Sequence, residues 1–332
     1  MTDYANQLTG KEMEQGSINF TFGNEKPSLH STLVIGVGGG GINVVSHMIE
    51  SGVSGVEFAI IDTDKIMLDD AKISARLLIG QKETGGCGTG GIPSLGESCA
   101  EADAENIRQL LSGIKVVFLV AGFGGGTGTG AAPVVARIAR EMGVLAIAFV
   151  TTPFAFEGNV KAKQAKTGCD RLRENIDCFM VIPNERMMKA CDKSMGVNEF
   201  LGILDDAVGQ FVQGFSELAA ATSDFESVCC ITRNQGEIFF DIGVGIGENR
   251  AEDAVKEAMI NPFLRISSTE NASKILIFVK GDESLSDAEI KSICECVKSA
   301  TSPSALIFLC KATDASMNGK VSVMVVATAF ET

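Results

Sequence analysis

GFGGGTGTGAAP, Gly122 to Pro133, follows the apolar run Lys115 to Ala121 and opens a helical pattern. Glycine stands at 122, 124, 125, 126, 128 and 130, denser than a tight turn needs, so something approaches the backbone closely here. A buried strand feeding a glycine loop and then a helix aims several N–H groups and the positive end of the helix dipole at one point. Such a point binds phosphate. Thr127 and Thr129 add hydroxyl donors between the glycines, and Pro133 sits in the first turn, where no N–H is required.

Working outward, the chain of 332 residues is long for one core and is expected to hold two domains. Hydrophobic residues make up 45% of it, yet no apolar run approaches the length of a bilayer span, which argues against membrane insertion. A net charge of -14 without a basic patch argues against a nucleic-acid partner. The ten cysteines are irregularly spaced, follow no C-x-x-C pattern and have only His30 and His47 to help, so they read as small buried thiols rather than a metal site. With no signal-type apolar core at the N-terminus, the expected location is cytoplasmic.

In chain order, residues 1–30 read as a loose polar tail and 31–197 as a nucleotide-binding α/β domain. Within that domain Leu33 to Val37, Val56 to Ile61, Ala75 to Ile79, Lys115 to Ala121, Leu145 to Val150 and Cys178 to Ile182 are expected strands. Gly80 to Gly96 is expected to be a long glycine-rich loop, Glu97 to Leu111 one helix, and Lys161 to Arg173 a basic helix. Alternating strands and helices of these lengths predict a Rossmann-like parallel sheet covered on both faces. Residues 198–221 form the next unit, where Leu201, Leu204, Val208, Phe211, Phe215 and Leu218 mark one long amphipathic helix with Asn198 as its N-cap. A second, smaller α/β domain is expected over 222–332. It has a short helix near Asp224 to Thr232, strands Glu237 to Ile246, Lys274 to Val279, Ala305 to Lys311 and Lys320 to Ala329, and helices Arg250 to Ile260 and Asp287 to Ser299.

A second glycine loop, Gly38 to Gly41, follows the first strand. Gly36, Gly38 and Gly41 satisfy G-x-G-x-x-G, and Asp62 stands where a dinucleotide fold places its ribose-binding acid, which by itself spells an NAD-dependent oxidoreductase. In doubly wound sheets, however, the first and fourth strands commonly adjoin at the switch point, so both glycine loops would face one crevice. Two phosphate cradles there suit a triphosphate better than one pyrophosphate. The ordinary P-loop, G-x-x-x-x-G-K-[ST], is not present.

GGGTGTG at Gly124 to Gly130 resembles the signature of the FtsZ and tubulin family, in its bacterial FtsZ form. IGVGGGGIN at Ile35 to Asn43, GTGGIP at Gly88 to Pro93, TTPFAFEG at Thr151 to Gly158, VIPNERM at Val181 to Met187 and VQGFSEL at Val212 to Leu218 also resemble FtsZ segments, in FtsZ order. The resemblance implies a GTP-binding domain, a long central helix, an activation domain, and head-to-tail assembly with itself or with another protein of FtsZ type. It implies cell division or a related cytoskeletal task, with GTP hydrolysed between subunits.

Residue by residue, the resemblance implies that Gly38, Gly39, Gly40, Gly41, Gly124, Gly125, Gly126, Thr127, Gly128, Thr129 and Gly130 hold the phosphates and that Glu157 bonds the ribose. Asn43, Asn184 and either Asp205 or Asp206 would face guanine, and Lys161 stands where the family usually has Arg. Magnesium would be held by phosphates and water, with no protein ligand. The chain departs from the family pattern at Asp62 and Ile92, where Asn is usual, and at Leu201, where an aromatic is usual. The loop after the central helix reads TSDFES in place of N-x-D-x-x-D, so Asp224 keeps the first acid, Thr222 replaces the amide and Ser227 replaces the second acid. Asp224 is the candidate catalytic residue. The altered loop leaves open a GTP-binding assembly protein with little or no hydrolysis.

Overall fold

The structure is a computed structural model that describes residues 32–190, 195–221, 229, 232–260 and 272–330. Six strands form its N-terminal half: β1 (Thr32–Val37), β2 (Glu57–Asp62), β3 (Ala75–Leu78), β4 (Val116–Gly122), β5 (Leu145–Thr152) and β6 (Cys178–Pro183). They pair in parallel in the order β3-β2-β1-β4-β5-β6. Their apolar runs are continuous because both faces are covered. Alternate side chains divide between two cores. Val34, Phe118, Val120, Ile147 and Phe149 pack toward α1 (Gly38–Glu50) and α9 (Val197–Ala221). Leu33, Ile35, Leu119, Ala146 and Ala148 face α4 (Pro93–Ala102), α5 (Ala104–Leu110), α6 (Thr127–Glu141) and α7 (Asn159–Arg173).

The expected loop from Gly80 to Gly96 is partly helical. It contains α3 (Gln81–Thr84), with α2 (Lys65–Asp70) beside it, and the start of α4, which has Pro93 in its first turn. The single helix expected from Glu97 to Leu111 is two. Asp103 leaves helical geometry (φ -104, ψ 21), and its carboxylate accepts hydrogen bonds from Gly80 N–H at 2.7 Å and Asn106 Nδ2 at 2.8 Å. A tertiary bond thus outweighs continuation of the helix.

The long helix α9 buries Phe200, Leu204, Val208, Phe211, Phe215 and Leu218. Its stripe therefore begins one residue before the expected Leu201, because spacing of three or four back from Leu204 admits either position and Phe200 takes the core. Asn198 is not the N-cap: the helix starts at Val197, Phe200 N–H donates to Gly196 O at 3.0 Å, and Asn198 is exposed in the first turn. Edge-to-face rings join α9 to the sheet, with Phe118 to Phe215 at 5.5 Å and Phe149 to Phe211 at 5.2 Å, and a tilted pair, Phe211 and Phe240, at 4.3 Å.

Beyond α8 (Asn184–Ala190) and α9, strand β7 (Gly236–Gly245) meets β6 over only two positions, Cys178 with Gly236 and Phe179 with Glu237. It then pairs antiparallel with β10 (Val321–Phe330), which pairs antiparallel with β8 (Ala272–Gly281), and β8 pairs in parallel with β9 (Leu306–Thr313). One ten-stranded sheet results, so the halves are joined by strand pairing as well as by α9. Helices α10 (Arg250–Ile260) and α11 (Asp287–Ser299) complete the second half. The expected tail lies outside the described residues, as do all but Cys229 and Thr232 of the helix expected near Asp224 to Thr232. No helix among the described residues is long and apolar enough to cross a membrane.

Candidate functional site

Strands β1 and β4 are neighbours, and the sheet grows away from them in opposite directions, through β2 and through β5. The loops leaving both strands therefore share the crevice at the switch point. They touch backbone to backbone. A Cβ on Gly38 would lie 2.8 Å from Gly128 N, and one on Gly40 would lie 3.1 Å from Gly122 Cα. Gly38 (φ +74) and Gly124 (φ +110) hold conformations that side chains rarely adopt. Helices α1 and α6 both open here, with no side-chain cap and no acid in the first turn. Their first N–H groups and positive dipole ends are left to an anion.

The glycines divide into two classes that the sequence does not distinguish. Gly125 faces open space, with nothing within 4 Å of where its Cβ would stand. By contrast, a Cβ on Gly126 would lie 2.7 Å from Ile92 N, one on Gly128 2.7 Å from Gly122 O, and one on Gly130 2.6 Å from Glu97 N. These three let α6 pack against α4 and against its own entry loop. The threonines also bond within the fold. Thr129 Oγ1 accepts from Gly124 N–H at 2.8 Å, and Thr127 Oγ1 pairs with Thr63 Oγ1 at 2.7 Å, so both buried hydroxyls brace the loop.

The G-x-G-x-x-G pattern has a packing cause as well. A Cβ on Gly36 would lie 2.7 Å from Gly41 C, and one on Gly41 would lie 2.9 Å from Gly36 C, so both let the chain turn tightly from β1 into α1. Asp62 is 3% exposed and accepts from Thr63 N–H at 2.6 Å and Asp64 N–H at 3.2 Å. Burial raises its pKa, against the lowering effect of those bonds and of Thr127. Buried and engaged by backbone donors, it is not presented at the surface as the ribose-binding acid of an NAD site would be.

Glu157 and Lys161 border the glycine loop. A Cβ on Gly124 would lie 3.0 Å from Pro153 Cγ and 3.2 Å from Lys161 Cβ, and Lys161 Nζ donates to Glu157 Oε2 at 2.9 Å. Phe154 N–H donates to Glu157 Oε1 at 3.0 Å. Burial acts to raise the Glu157 pKa, but the Lys161 ammonium and the Phe154 bond outweigh it and hold the carboxyl below its ordinary range. Ala155 N–H donates to Glu185 Oε2 at 3.1 Å, and the Phe154 ring lies 6.0 Å from Phe200, so the loop after β5 is tied to the starts of α8 and α9.

Asn184 is the first residue of α8, and its buried Oδ1 accepts no hydrogen bond among the described residues. A buried acceptor in that state calls for a donor beyond the described residues, and a bound ligand can supply one. Asn43 is exposed on α1, one turn before His47 on the same face. His47 Nε2 lies 2.7 Å from Asp206 Oδ1, which also accepts from Ser51 Oγ at 3.1 Å. Asp205 accepts no hydrogen bond among the described residues. Burial pushes its pKa up to about 6, with His47 opposing and Asp206 adding. Both acids line a cavity of about 520 Å³ between the C-terminal end of α1 and α9, together with Met48, Val53 and Gln213. Asp224 lies outside the described residues.

Sequence reading missed Thr63, Glu185 and His47. Only His47 carried a local signal, four positions after Asn43 and so on its face of α1.

The model of the Tubulin/FtsZ family GTPase domain matches residues 31–192, and that of the FtsZ family C-terminal domain matches residues 236–331. Among solved structures, an FtsZ dimer from M. jannaschii is 35% identical, with a TM-score of 0.80 over 90% of this chain and 88% of that one. CetZ1 from Haloferax volcanii, a GDP-bound monomer, matches at 20% identity and a TM-score of 0.77, over 91% of this chain and 94% of that one. CetZ2 from the same organism, a GTPgS-bound protofilament, matches at 20% identity and a TM-score of 0.70, over 91% and 93%. The CetZ likeness speaks to the fold alone, and none of these matches singles out the bacterial form.

Proposed function

The chain belongs to the Tubulin/FtsZ family, and from that premise we propose that it binds GTP and GDP in the switch-point crevice, assembles head to tail, and hydrolyses GTP between subunits. The observation that carries this reading is the meeting, glycine against glycine, of two uncapped helix N-termini. Gly38 to Gly41 and the open backbone at Gly125 cradle the phosphates, while Gly126, Gly128 and Gly130 hold the cradle in place. Glu157 bonds the ribose, and Lys161 neutralises it and faces the phosphates. Asn184 and Asp205 read guanine, whose two N–H donors suit a carboxylate. Asn43 borders the base on the α1 side.

Asp62 is occupied by backbone donors, and Asp64 caps α2 by accepting from Ile66 N–H at 2.9 Å. Magnesium bound with the nucleotide would then be held by phosphate and water rather than by these acids, in keeping with its reluctance to dehydrate. It supplies charge neutralisation on the phosphates. The dimer described for the matching FtsZ structure supports self-assembly, and the family resemblance extends the proposal to division or another cytoskeletal task. Asp224 of the adjoining copy orients the attacking water.

Phosphate release per molecule is expected to rise with protein concentration, and Asp224→Ala to remove turnover while leaving GTP affinity intact. A rate per molecule that stays flat, or an Asp224→Ala protein as active as its parent, would replace this reading with a GTP-binding assembly protein that hydrolyses little.

A further inference from the structure

His47 sits between the two helices that the nucleotide spans in the proposed binding mode. Helix α1 begins at the phosphate loop, and His47 lies nine positions along it, roughly 13 Å at 1.5 Å per residue. Helix α9 carries Asp205 and Asp206. The His47 ring and the Ser51 hydroxyl both hold Oδ1 of Asp206, so that carboxylate is drawn to α1. Asp205, turned about 100° around the helix from its neighbour, is left without such a hold.

We propose that His47 is a positioning residue for guanine recognition: its clasp on Asp206 ties the phosphate-binding helix to the central helix and fixes where Asp205 stands relative to the phosphate loop. The inference rests on the assignment of Asp205 to guanine. The charged groups facing Asp205 are His47 from α1 and Asp206 from α9. Further along the same cavity stands Glu217, which is paired with Lys280 of β8 at 3.0 Å and so offers little free charge. Guanine needs the ionised carboxylate. GTP affinity should therefore weaken as pH falls through about 6. His47 lowers the Asp205 pKa and Asp206 raises it, so removing each should move the midpoint in opposite directions.

The test is titration of GTP and ATP between pH 5 and 8 with the full chain and with Asp205→Asn, His47→Ala, His47→Gln and Asp206→Asn. Asp205→Asn should erase the preference for GTP. His47→Ala should weaken GTP about threefold to fivefold at pH 7, leave ATP unchanged, and move the midpoint up. His47→Gln can still donate to Asp206 and should recover most of the affinity at pH 7, yet keep the raised midpoint. Asp206→Asn should move the midpoint down. If Asp205→Asn loses the preference while the His47 and Asp206 variants keep both preference and midpoint, the positioning role is wrong and the guanine assignment stands. A parent protein without GTP preference, or an Asp205→Asn protein that retains it, would overturn the assignment itself.

Discussion

The helix start at α11 in the C-terminal half and those at α1 and α6 in the N-terminal half are finished in opposite ways. In the C-terminal half, Ser286 and Glu289 form a reciprocal capping box at the start of α11, with Ser286 N–H donating to Glu289 Oε2 at 2.8 Å. Arg250 then ties three segments together. Its Nε donates to Glu289 Oε1 at 2.7 Å, and its other nitrogens donate to Ser284 O at 3.0 Å and Gly319 O at 2.9 Å. In the N-terminal half, α1 and α6 open on Val37 and Gly126 with no capping side chain. Side chains satisfy the helix end at α11, whereas the ends of α1 and α6 stay open, as the proposed phosphate site requires.

The sharpest way to break this comparison is Arg250→Ala. The guanidinium side chain is only 11% exposed, and its loss removes the cation beside Glu289 and the bonds to Ser284 and Gly319, so unfolding by denaturant should show a loss of about 3 kcal/mol. GTP affinity of the folded protein should not change. A parallel fall in affinity would show that scaffold and site are not separate.

Next in size is Gly126→Ala, whose new Cβ would press on Ile92 N and Thr89. Overpacking of this kind should destabilise the fold by about 2 kcal/mol, whereas Gly125→Ala should melt within a degree or two of the parent. Equal melting temperatures for the two variants would dissolve the division between packing glycines and cradle glycines.

The smallest expected effect is a difference in sign with pH. Arg250 and the Ser286 bonds hold the Glu289 pKa at about 2, against burial, so its contribution to stability is present above its ordinary 4.5 and is lost as pH falls toward 2. Asp205 is the reverse. Its pKa is raised from 3.8 to about 6, so its contribution is present below about 4 and is lost as pH rises through 6. Asp205→Asn should therefore be more stable than the parent above pH 6 and match it near pH 4. Thermal melts across this range check the sign, and a variant less stable at pH 7 would contradict it.

Much of this was legible in the chain, for reasons that can be named. The strands of the N-terminal half read as continuous apolar runs because they are buried on both faces. Helix α11 read to the residue because S-x-x-E before an apolar pattern is a local start signal. Where reading failed, the deciding partner was distant. The break at Asp103 depends on Gly80, the register of α9 on whether Phe200 or Leu201 reached the core, and the hydroxyl pair of Thr127 on Thr63, 64 positions earlier. What separates Asp205 from Asp206 is the contact of Asp206 with His47, 159 positions earlier in the chain, and the guanine role proposed for Asp205 rests on it. Glycines that face open space and glycines packed against a helix look alike in sequence, and only the neighbours of an added Cβ separate them.

The central claim, that an open backbone at the switch point holds the phosphates of a guanine nucleotide, is tested most directly by titrating GTP, GDP, ATP and NAD against the parent protein and Gly125→Ala. The account predicts GTP and GDP binding well ahead of ATP and NAD in the parent, and at least about tenfold weaker GTP binding in a Gly125→Ala protein of unchanged stability. Preference for NAD, or full GTP affinity in Gly125→Ala, would contradict it.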